Sequence, residues 1–124
     1  VTARTWMVAA GVSGALAVAL GAFGAHGLAD AVSPERLATW RTASSYHLAH
    51  AVALAVVALA IRSGWRARAS GVLFVVGTVL FSGSLYLLVL LEMPILGAVA
   101  PIGGVAFISG WLALAWTAWR TPEA

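Results

Sequence analysis

The sequence has 124 residues, with seven arginines, four acidic residues, three histidines, no cysteine and a net charge of +3. Apolar residues make up 62% and charged ones only 9%, against about 45–50% and about 25% in soluble domains, so a water-soluble fold is excluded. The missing cysteine excludes disulfides, thiolate metal sites and cysteine nucleophiles, and arginines set singly between apolar runs, with no aromatic-interleaved basic patch, exclude nucleic-acid binding.

In chain order, the first element is the uncharged run Trp6–Ala25, 20 residues closed by His26, long enough to cross a hydrocarbon core of about 30 Å. A signal-peptide core is only about 7–15 residues, so this run reads as a retained span over residues 6–26. Gly11, Gly14, Gly21 and Gly24 give it a small-residue stripe, the kind of surface that lets helices approach closely in lipid.

Ser33-Pro34-Glu35 follows, an N-cap, a proline at the first helical position and an acid in the first turn. The pattern predicts a short interfacial helix that carries Leu37 and Trp40 along the membrane surface and runs on into the second span, residues 42–61, between Arg41 and Arg62. The loop Arg62–Arg68 holds three arginines, and the third span covers residues 69–91, ending at Glu92. Pro94 and Pro101 cannot donate backbone hydrogen bonds. They predict an irregular or re-entrant stretch between them and a regular fourth span only over residues 102–119.

The expected fold is all-α, an integral membrane four-helix bundle, with residues 1–124 as a single transmembrane domain. Arg4, Arg62, Arg66, Arg68 and Arg120 fall at one set of span ends and only Arg36 and Arg41 at the other. The positive-inside rule then predicts an N-in/C-in multi-pass protein of the bacterial-type inner (cytoplasmic) membrane. Trp6, Trp65 and Trp119 sit near the arginine-rich boundary, where interfacial aromatics belong. Further glycines on the third and fourth spans suit internal packing, or a homo-oligomer or membrane-protein partner on a glycine-rich face.

Ionisable groups inside spans point to function because burying them costs energy. His47 and His50 are three residues apart on one helix, roughly 9 and 13 Å along it from Arg41, and Tyr86 lies at a comparable depth on the third span. With His26 they form the candidate ligand or polar cluster. Tyr46, Ser82, Ser84 and Glu92 are secondary candidates. Three readings compete: histidines as hydrogen-bonded links between helices; His26, His47 and His50 as ligands of a metal or haem near the outer face; and a quinone or lipid headgroup held by histidine and tyrosine. No nucleophile elbow, H-E-x-x-H, paired intramembrane carboxylates or phosphate loop is present, so no catalytic residue is assigned. No Asp or Glu lies within a span, which argues against a proton-coupled exporter.

The blocks Gly21-Ala-Phe-Gly-Ala-His-Gly-Leu28, Trp40-Arg-Thr-Ala-Ser-Ser-Tyr-His-Leu-Ala-His-Ala51, Leu80-Phe-Ser-Gly-Ser-Leu-Tyr86 and Pro101-Ile-Gly-Gly104 with Gly110-Trp111 resemble the small membrane proteins of the domain of unknown function 423 family, which includes an animal relative called transmembrane protein 256. The resemblance implies a four-helix membrane fold and no particular activity. Its blocks contain His26, His47, His50, Ser82, Ser84 and Tyr86. Glu92-Met-Pro94 stands where the family is expected to have a glycine-containing turn. The expectation is a non-enzymatic accessory or scaffolding protein embedded in lipid and without a cofactor; the alternative is a metal- or haem-binding protein.

Overall fold

The computed structural model describes residues 1–123. Four helices, α1 (Ala3–Leu28), α2 (Pro34–Arg62), α3 (Arg68–Leu91) and α4 (Leu96–Arg120), are each long and apolar enough to cross a membrane. A helix pairs its backbone N–H and C=O groups within its own length, as a water-free bilayer core demands. Large apolar side chains such as Val12, Leu59, Val105 and Leu112 stay exposed on the outside of the bundle, where in water they would be unfavourable and in lipid they are not.

The helix ends are written locally. Thr2 caps α1 by accepting from the N–H of Thr5. Ser33 caps α2 by accepting from the N–H of Arg36, with Pro34 beginning the helix and Glu35 in its first turn. At the other end of α2, Gly64 takes a left-handed conformation, φ +91°, while the N–H of Trp65 returns to the Ala60 carbonyl at 2.9 Å. A side chain there would be strained, so glycine suits the stop. α3 stops at Glu92, a non-glycine residue in the left-handed region, φ +54°.

α2 occupies the centre, with α1 packed along it and α3 packed on both α2 and α4. Glycines set the closest approaches. A Cβ on Gly24 would meet the Trp40 indole, one on Gly77 the Phe107 ring, and one on Gly103 the backbone of Leu80 and Phe81. Two turns are widened to π geometry, Gly24–Leu28 in α1 and Thr78–Gly83 in α3. The second contains the backbone against which Gly103 fits.

Three expectations are corrected. The helix that starts at Pro34 runs on into the second span as expected, but it does not lay Trp40 along the membrane surface: Trp40 is 1% exposed because its ring fills the space over Gly24, with its indole N–H donating to the Leu20 carbonyl at 2.7 Å. Trp6 is likewise buried, against Gly71 of α3, rather than interfacial. The Pro94–Pro101 stretch is mostly helical, since α4 begins at Leu96 and runs through Pro101. Pro101 lies early enough that it forfeits only the bond to the Gly97 carbonyl, while the N–H groups of Leu96, Gly97 and Ala98 are held by the carbonyls of Met93, Pro94 and Ile95.

Arg4 and Arg62 flank one shallow pocket and Arg66 and Arg120 another, so the arginines predicted to share a side do share an end of the bundle. At the opposite end Arg36 pairs with Glu92 at 3.2 Å and also donates to the Val89 carbonyl.

Candidate functional site

Residues three apart on a helix are separated by about 60° around its axis. His47 and His50 are both buried on α2, and this angular offset sends them to different neighbours. His47 faces α1 and α3: its Nδ1 is 2.9 Å from the Tyr86 hydroxyl and its Nε2 is 3.1 Å from Ser13 Oγ. His50 faces α4: its ring stacks on Phe107 with centroids 3.6 Å apart, and its Nε2 accepts from the Trp111 indole at 3.1 Å.

The indole can only donate, so the neutral His50 ring must carry its proton on Nδ1. That nitrogen lies 2.7 Å from the carbonyl of Tyr46, one turn back on α2, and donates to it. Both nitrogens of His50 are therefore committed and its tautomer is fixed. The tautomer of His47 is not fixed, because hydroxyls stand on both sides of the ring and either can donate or accept.

The secondary residues have packing roles. Ser82, fully buried, donates to the Ala43 carbonyl of α2 at 2.8 Å. Ser84 donates to the Leu80 and Phe81 carbonyls of its own helix, and Thr78 to Phe74, so hydroxyls hold both ends of the widened turn in α3. Tyr46 packs against Phe81 and lies parallel to His50. Glu92 caps α3 and pairs with Arg36. His26 is exposed on the widened turn of α1, and no group of three metal-binding side chains occurs among the described residues. The structure thus brings Tyr86 to His47 but does not gather the three histidines.

A metal or haem does not fit this arrangement. Ligation needs a ring nitrogen with a lone pair aimed at open space, whereas His50 Nε2 is taken by Trp111 and both nitrogens of His47 by hydroxyls.

The order Ser13–His47–Tyr86 superficially matches a nucleophile, a base and an orienting group. Ser13, however, lies in the interior of a regular helix whose amides are spent on intrahelical bonds, leaving no oxyanion donors. A neutral tyrosine also cannot stabilise an imidazolium as a carboxylate does.

Beside this triad, α1 and α3 stand apart and leave a groove of about 530 Å³ floored by His47 and Leu54 of α2. Its walls include Val12, Ser13 and Leu16 from α1 and Val79, Tyr86 and Leu87 from α3. Ser13 and Trp111 were absent from the sequence-based site. A signal existed for each: Ser13 is the one hydroxyl in the uncharged run Trp6–Ala25, and Trp111 stands in the middle of the fourth span within the block Gly110-Trp111, although spacing alone does not tell a lipid-facing indole from one bonded to a histidine.

The sequence pattern described as "Protein of unknown function (DUF423)" matches residues 20–104. A UPF0382 membrane protein of Staphylococcus epidermidis is 41% identical over 116 residues, covering 90% of this chain and 92% of the relative. UPF0382 membrane protein YwdK of Bacillus subtilis is 42% identical over 112 residues, covering 88% and 91%. UPF0382 inner membrane protein YgdD of Escherichia coli is 40% identical over 113 residues, covering 89% and 86%. No solved structure matches the chain.

Proposed function

The chain belongs to the DUF423 family of membrane proteins, a bilayer-embedded protein of the inner (cytoplasmic) membrane, and we propose that it acts there as a non-enzymatic accessory or scaffolding component packing against lipid or another membrane complex. The observation that carries this reading is the commitment of both buried histidines to partners on other helices, His47 to α1 and α3 and His50 to α4. They work as links that hold a preformed bundle in one arrangement, with an apolar exterior available to lipid and partner helices. The arginine-rich end faces the cytoplasm, supported by the five-to-two division of arginines between the two ends.

The test is elemental analysis and a visible absorption spectrum on protein purified in mild detergent, with a His47→Ala, His50→Ala double variant beside it, followed by native electrophoresis of membrane extracts. The expected result is no stoichiometric metal and no haem band in either protein, and migration of the wild type within an assembly larger than its own 12.7 kDa. A metal or haem near one per chain that vanishes in the double variant would overturn the reading in favour of a ligand site. Migration as an isolated monomer under the mildest extraction would overturn the accessory role.

A further inference from the structure

The groove between α1 and α3 has a hydrogen-bond surplus at its floor. The chain Tyr86–His47–Ser13 holds three polar protons, one on each hydroxyl and one on the neutral ring, but has only two bonds to make. If His47 carries its proton on Nδ1, it donates to Tyr86 and accepts from Ser13, and the Tyr86 proton is left over. If the proton is on Nε2, the ring donates to Ser13 and accepts from Tyr86, and the Ser13 proton is left over. Neither hydroxyl has another partner among the described residues. In both tautomers one hydroxyl donor is left beside the groove that both residues line, and an unused donor in an apolar setting favours an acceptor.

The location restricts what that acceptor belongs to. His47 lies six residues inside Arg41, about 9 Å along α2, and Leu54 lies two turns deeper, which places the floor within the hydrocarbon core, with His47 about 6 Å from the mid-plane of a core about 30 Å thick. Phosphates and ester carbonyls of diacyl lipids lie about 15 Å from the mid-plane, at the edge of a core about 30 Å thick. No lining residue is charged, so nothing compensates an ionic headgroup, whose burial would be costly. The walls end in Val12, Leu16, Val79 and Leu87, all exposed on the outside of the bundle, so entry is sideways from lipid. Trp6 fills the gap over Gly71 at the arginine-rich end, and the widened turn at Thr78–Gly83 contributes Thr78, Val79 and Gly83 to the wall.

From this geometry we infer that the groove binds a neutral isoprenoid quinone, one ring carbonyl accepting the surplus hydroxyl proton of the Tyr86–His47–Ser13 chain. Such a molecule is uncharged, carries acceptors without competing donors and moves freely at the bilayer centre. The 530 Å³ space falls within the usual range for small-ligand sites, about 300–1,000 Å³. The inference concerns binding alone and holds whether or not the bundle docks on another complex.

The experiment titrates a decyl-substituted benzoquinone into detergent-purified protein and reads tryptophan quenching, with decylbenzene, which lacks carbonyls, as the matched probe. Val12→Trp fills the groove from an exposed wall position, and Val105→Trp adds the same bulk to a lipid-facing site on α4 outside the groove lining. Helical circular dichroism checks that each variant folds. The expected result is saturable binding of one quinone per chain, weakened about tenfold or more by Val12→Trp and unchanged by Val105→Trp, with decylbenzene unable to compete. Should Val12→Trp disturb the fold, Leu16→Trp makes the same test from the adjacent turn. Equal binding of decylbenzene, or equal quenching in a folded groove-filled variant, would overturn the inference as simple partitioning. Recovery of the quenched fluorescence on addition of phosphatidylglycerol at a concentration equal to that of the quinone would overturn it in favour of a diacyl lipid.

Discussion

The Trp111 indole N–H donates to Nε2 of His50 at 3.1 Å, and this single bond between α4 and α2 sets the protonation pattern of a buried ring. Because Nε2 must accept, Nδ1 is the protonated nitrogen. Nitrogen-15 NMR of labelled protein is expected to show a protonated Nδ1 and an unprotonated Nε2 for His50, and the opposite pattern would refute the assignment. Trp111→Phe keeps a ring against Phe74 and removes the donor together with one of the two fused rings. Interhelical hydrogen bonds in membranes average about 0.6 kcal/mol and reach about 1.7, so a loss in that range is expected from denaturation in mixed micelles.

Gly103 and Gly11 separate close packing from mere small size. A Cβ at Gly103 would collide with the Phe81 and Leu80 backbone, which cannot rotate away, whereas one at Gly11 would meet nothing within 4 Å. Gly103→Ala should destabilise the bundle by about 1–3 kcal/mol, the usual cost of overpacking. Gly11→Ala should leave thermal unfolding unchanged or slightly improved. Equal effects of the two would show that the α3–α4 contact is looser than described.

Glu92 is held in a left-handed conformation that costs an ordinary residue about 1–2 kcal/mol. Its ion pair with Arg36 returns less, since the Glu92 side chain is 71% exposed and such pairs are worth about 0–1 kcal/mol. The strain therefore wins: Glu92→Gly is expected to raise the unfolding midpoint, and Glu92→Ala, which keeps the strain and loses the pair, to lower it. A lower midpoint for the glycine variant would mean that the ion pair dominates.

The absence of native cysteine makes orientation measurable with single-cysteine variants. Ser63→Cys, at the arginine-rich end, should react with a membrane-impermeant maleimide only after the cytoplasmic side is opened. Ala31→Cys, between α1 and α2, should react in intact cells once the outer membrane, where there is one, is permeabilised. The reversed pattern would invert the proposed orientation.

The spans were legible because the bilayer imposes a length of uncharged chain and arginine interrupts it: the boundaries at Arg62, Arg68, Leu91 and Arg120 could be read nearly to the residue. Trp40 and Trp6 were misplaced because an indole suits both an interface and a glycine-lined crevice, and only the position of Gly24 or Gly71 on a neighbouring helix distinguishes them. Pro101 was read as a break because the rule for isolated helices omits the preceding residues, Met93 to Ile95, which supply carbonyls to the first N–H groups of α4.

By itself the sequence determined that this is an all-α membrane chain with four helices long and apolar enough to cross, that five of its arginines fall at one set of helix ends, that two histidines share the second helix, and that Tyr86 stands at a matching distance along the third. These are properties of composition and of distance along a helix, and they hold in any packing. Only the tertiary structure decided that His47 turns to Ser13 and Tyr86 while His50 turns to Trp111, that His26 stays apart, and that α1 and α3 leave a groove between them. Those outcomes depend on which helix lies in each direction around α2, and that is settled by where glycines let neighbours come close and where a ring such as Trp6 or Trp40 fills the space.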